Sequence, residues 1–88
     1  MLLPIEEVNR RRRLVRLLTD ELRARGRHVS DRGTAIWAAK QFLGPGREIT
    51  VIGGDFVWQQ GSYIGAPIAP VKDVPHAADL IDKELSAM

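Results

Sequence analysis

A chain of 88 residues with 44% hydrophobic and 27% charged residues has the composition of one small globular domain, residues 1–88, and not of a disordered tract or a fibrous repeat. It contains no cysteine and only two histidines, His28 and His76, which excludes disulfides, thiolate metal sites and a cysteine nucleophile. The net charge is only +2, yet arginines crowd between Arg10 and Arg32 and include the run Arg10, Arg11, Arg12 and Arg13, a distribution that permits a polyanion partner without requiring one.

Residues 5–25 are predicted to form an amphipathic helix. At 100° per residue, Val8, Leu14, Val15, Leu17, Leu18 and Leu22 fall within an arc of roughly 180°. Glu6 and Glu7 suit the positive end of its dipole, and Gly26 offers a C-terminal stop. A polar connector then runs from Gly26 to Gly33 and has room for a short extended piece at His28, Val29 and Ser30. Residues 34–43 follow with Ala35, Ile36, Ala39, Phe42 and Leu43 at helical spacing, closed by Gly44, Pro45 and Gly46. They are read as a short second helix, with a buried strand as the rival.

Residues 48–52 and 55–60 are strand candidates around Gly53 and Gly54. Two glycines between apolar runs predict a two-residue type I′ hairpin, in which Val51 faces Phe56 and Ile49 faces Trp58. A third strand is predicted over residues 63–68, confined to an edge by Pro67. Residues 69–72 read as loop and 73–87 as a final helix, with Val74, Ala77, Ala78, Ile81 and Leu85 on one face and Pro75 in the first turn. The expected architecture is α+β in two layers: a long N-terminal helix, a short second helix, a three-stranded antiparallel meander and a C-terminal helix. Its core is expected to gather Leu14, Leu18, Leu22, Phe42, Val51, Phe56, Ile81 and Leu85.

On the first helix Arg12, Arg16, Arg23 and Arg27 fall within about 60° of one another, opposite the leucines. Such a stripe suits a phosphate backbone, although a merely solvated face would look the same. Arg11 falls inside the leucine arc. Either the helix leaves the core before this turn, so that Ile5, Val8 and Arg11 project as a contact surface, or Arg11 reaches past its apolar neighbours to water. Ile52, Val57 and Tyr63 are the other candidate interface residues, on the outward sheet face and the edge strand. His28, Ser30 and Asp31 are close only in sequence, which does not make a catalytic triad. Gly53, Gly54 and Asp55 lack the helix and the Lys-Ser/Thr pair of a phosphate loop.

The order helix, three antiparallel strands, helix resembles the double-stranded RNA-binding domain, whose final helix opens on a lysine-rich motif. Here Val74, Pro75, His76, Ala77, Ala78 and Asp79 stand at that place, so the RNA contact of that family does not carry over. Two helices followed by a hairpin are similar to a winged helix as well. Its reading helix would be residues 34–43, which present only Lys40 and Gln41 to bases, and a third helix is missing.

These readings lead to a non-enzymatic interaction or regulatory module working as a homo-oligomer, most simply a homodimer, or with another protein. The alternative is a nucleic-acid-associated protein using the first-helix arginines. No cofactor, metal, small-molecule substrate or membrane partner is expected. Met1 to Pro4 begin no leader of signal-peptide type, so a cytoplasmic location is expected.

Overall fold

The computed structural model describes residues 4–60 and 63–88; for Tyr63 this is the backbone only, so the interface role expected of its side chain lies outside the described residues. Helix α1 spans Pro4–Ala24 and is followed by strands β1 (His28–Asp31), β2 (Ala35–Ala39), β3 (Gly46–Ile52), β4 (Asp55–Gln60) and β5 (Tyr63–Pro70), then helix α2 (Val74–Ser86). All neighbouring strands are antiparallel, in the order β1-β2-β3-β4-β5.

The sheet therefore has five strands, not three, and the short second helix does not exist. Residues 35–39 of that expected helix are β2, paired on both sides: Ile36 faces Asp31 of β1 and Ile49 of β3. A helix of about ten residues is marginal without strong tertiary support. As a strand, the same residues place Ile36 and Ala38 in the core at 1% and 0% exposure and give β1 and β3 a backbone partner. Helix propensity is a weak prior, and pairing on two edges outweighs it. Phe42, expected in the core, lies beyond β2 and is 68% exposed. Ala69 and Pro70 belong to β5 instead of a loop.

Helix α1 closes as its sequence suggests. Gly26 takes φ 80°, its N–H donates to Arg23 O at 3.0 Å and the Arg27 N–H donates to Leu22 O at 3.0 Å, the paired bonds of a Schellman motif. At the start of α2 the Asp73 carboxylate accepts from the His76 N–H at 3.2 Å, with Pro75 where its missing donor does no harm. The β3–β4 register is the one anticipated, with Val51 opposite Phe56 and Ile49 opposite Trp58. The turn type differs. Only Gly53 has a positive φ, 60°, so the turn follows the II′ pattern, with glycine required at its first central residue, instead of I′.

Alternation along the strands sorts the sheet into two faces. Val29, Ile36, Ala38, Ile49, Val51, Phe56 and Ala69 share one core with Val15, Leu18 and Leu22 of α1 and Ala77, Ala78, Ile81 and Leu85 of α2. Both helices thus cover a single face. The other carries Trp37, Ala39, Glu48, Thr50, Ile52, Val57 and Gln59, alternating with the first set. No described helix is long and apolar enough to cross a membrane; α1 has 21 residues, but four successive arginines interrupt it.

Candidate functional site

The arginines divide by what holds them. Arg10 bonds Glu7 Oε1 at 3.3 Å and Gly53 O at 2.9 Å, which ties α1 to the β3–β4 turn. Arg11 pairs with Glu7 at 3.0 Å and stays partly exposed, so its place within the leucine arc is resolved by an ion pair one helical turn away. Arg25 bridges Glu21 at 3.6 Å and Asp79 of α2 at 2.8 Å. Arg32 lies over the Trp37 ring at 5.3 Å and within 3.9 Å of Glu48, and Arg47 reaches Glu84 at 3.7 Å.

Arg27, placed with the polyanion stripe by the wheel, does other work. It is paired with Asp82 and donates to Ser86 Oγ at 2.8 Å, clasping the C-terminal half of α2. The physical reason is the Schellman turn: the chain leaves the helix at Gly26, so the α1 wheel no longer describes residue 27. Arg23 stays on the stripe and donates to Val29 O at 3.0 Å. That bond caps a carbonyl of the edge strand β1 and blunts it against further pairing.

Arg12, Arg13 and Arg16 alone among the arginines have no hydrogen-bond or ion-pair partner among the described residues, and all three are exposed. Arg12, Arg16 and Arg23 line a cleft of about 590 Å³ between α1 and the β1–β2 hairpin, with Thr19, Asp31 and Gly33. Three of the four stripe residues thus lie on one cleft, whose opposite wall the sequence reading did not include. That wall is a tight turn in which Asp31 Oδ1 accepts from the Gly33 N–H at 2.7 Å. Its signal was Asp-Arg-Gly directly after the extended piece, an Asx-turn pattern. Thr19 donates to Val15 O at 2.8 Å, which leaves its hydroxyl oxygen free to accept a hydrogen bond. Asp20 also lies in the cleft, so its positive character is concentrated at the Arg12–Arg16 end.

A second cleft, about 740 Å³, lies beside Trp37, Glu48, Trp58, Gln59 and Gln60. The two indoles belong to opposite sheet faces by register. Trp37 already has Arg32 over its ring and Gly46 against it, so it offers no open stacking platform.

The interface candidates disperse. Ile5 is 66% exposed and Val8 half-buried on α1; Ile52 is 43% exposed on the uncovered sheet face. Val57 shares that face but is 4% exposed, enclosed between its neighbours Thr50 and Pro67, so it presents nothing to a partner. Comparison of the chain with protein-family models, with curated proteins and with solved structures finds no match.

Proposed function

We propose that this protein is a non-enzymatic binding module that grips a nucleic-acid backbone along the Arg12, Arg16 and Arg23 side of α1. The observation that carries this reading is the pair of cleft guanidinium groups, Arg12 and Arg16, that have no partner among the described residues, whereas every other arginine except Arg13 is engaged there by carboxylates, hydroxyls or carbonyls. An unpaired guanidinium keeps its donors for phosphate oxygens, which it matches two at a time. From Arg12 to Arg23 the helix rises about 16 Å, roughly five nucleotide steps of one strand. None of the described residues that line the cleft is aromatic, so the mode is phosphate contact without base stacking or sequence readout.

Fluorescence anisotropy with a labelled duplex, titrated at several salt concentrations, tests the reading. Affinity is expected to fall steeply with salt, and Arg12→Ala combined with Arg16→Ala to flatten the slope by about two. Arg27→Ala should leave the slope unchanged, because its charge is spent on Asp82. Absence of binding at low salt, where attraction is strongest, overturns the proposal.

A second reading, self-association, is favoured by the uncovered sheet face, where Ile52 and Ile64 are each 43% exposed. Pairing of sheet edges is disfavoured, because Arg23 caps β1 while Pro67 and Pro70 interrupt β5. A two-fold, face-to-face dimer would leave α1 free for the first reading. Light scattering across a tenfold dilution at micromolar concentration is expected to give twice the monomer mass at the upper end. A monomer mass throughout removes this reading.

A further inference from the structure

We propose that the β2–β3 turn is a membrane-contacting tip that places Phe42 and Leu43 in the interface of an anionic bilayer. The site is separate from the arginine cleft and goes beyond the reading given above. Phe42 and Leu43 are 68% and 89% exposed, adjacent, and project from the end of a hairpin. The Gly44 N–H donates to Gln41 O at 3.0 Å, which closes a four-residue turn with Leu43 as its third residue. Leu43 has φ 64° there, a position that favours glycine. Glycine stands one residue later instead. An apolar side chain is thus held in water by a backbone conformation that resists it. Two local rules are broken together, and such breaks collect at working surfaces.

The chemistry of the tip fits a bilayer better than a protein socket. From Phe42 to Pro45 no side chain has a hydrogen-bonding group, whereas protein interfaces are met with about one hydrogen bond per 100–200 Å². Behind the tip stands exposed Lys40, with Arg47 beside it in an exposed pair with Glu84 at 3.7 Å, and no acidic residue occurs from Arg32 to Arg47; this complements anionic headgroups. The His28 ring meets Phe42 edge-on at 5.1 Å between centroids and steadies one of the two inserting side chains. Two side chains give a reversible contact and not an anchor. Composition and helix length alone speak only of spanning segments, which is why no membrane partner was expected from the sequence.

Sedimentation with phosphatidylserine–phosphatidylcholine vesicles, against pure phosphatidylcholine vesicles, tests the proposal with the intact chain. The wild type is expected to pellet with the anionic vesicles. Leu43→Asn should lower the partition coefficient about tenfold, the loss of one buried leucine, while its melting temperature holds or rises because asparagine tolerates a left-handed backbone. Phe42→Ser should act in the same direction, and Arg12→Ala with Arg16→Ala should retain at least half of the binding. Equal sedimentation of wild type and Leu43→Asn, including no sedimentation of either, overturns the proposal. So does loss of binding in the arginine double variant alone, or a wild-type dimer in light scattering that Leu43→Asn dissolves, which would make a second copy the occupant.

Discussion

Leu18→Ala is expected to destabilise the protein by about 2–5 kcal/mol, measured by urea unfolding monitored through tryptophan fluorescence. Leu18 is fully buried on α1, in one core with Ile36, Ile49, Val51, Phe56 and Ile81. Removing its branched end leaves a cavity walled by two layers that cannot both collapse, because the sheet is tied by its ladders and α1 by Arg10 and Arg25. A chain of this size has a total stability of only about 4–13 kcal/mol. Leu17→Ala is the control. The same atoms are removed one residue away, where the side chain is 48% exposed, and the expected loss is within about 0.5 kcal/mol. Equal losses at both positions would mean that α1 is rotated from the orientation described.

Gly46→Ala is expected to cost about 1–3 kcal/mol, at the upper end of that range or above it. A Cβ at this first residue of β3 would lie 2.5 Å from the Ala38 carbonyl oxygen and 2.8 and 2.9 Å from Cε2 and Cζ2 of Trp37. The ring has χ freedom to give way, but the carbonyl belongs to the β2 backbone, held between β1 and β3. Replacing Trp37 with alanine in the Gly46→Ala background should therefore recover only part of the loss. Full recovery would show that the ring alone was in the way. Gly54→Ala, where an added Cβ meets open space, should be close to neutral in the same unfolding experiment, since the cost belongs to the close approach and not to the loss of a glycine as such.

Gly46 illustrates how sequence and tertiary structure divide the description of this protein. In the sequence, Gly44, Pro45 and Gly46 read as the stop of a helix. In the fold β2 has already ended at Ala39 and Gly46 opens β3, where the second glycine is required by the Ala38 carbonyl and the Trp37 ring of the neighbouring strand. No local pattern records that approach. Residues 34–43 fail for the same reason: their apolar spacing satisfies a short helix and a short strand alike. The choice falls to pairing with β1 and β3, a non-local term that appears only when all three strands are assembled.

By itself the sequence determined both helices, the hairpin register around Gly53 and Gly54, the edge position of β5 and most of the core. In each of these a long periodicity or a cap concentrates the signal in consecutive residues. It also determined that Arg12, Arg16 and Arg23 share one side of α1, because a straight helix makes that side a matter of arithmetic. Only the tertiary structure decided which arginines are free. Arg10, Arg11, Arg25 and Arg27 look no different in sequence from Arg12 and Arg16, but carboxylates on α1 and α2 and the carbonyl of Gly53 engage the first four. Burial of Val57 between Thr50 and Pro67, and exposure of Phe42 and Leu43 in the turn beyond β2, were likewise settled only when the strands paired.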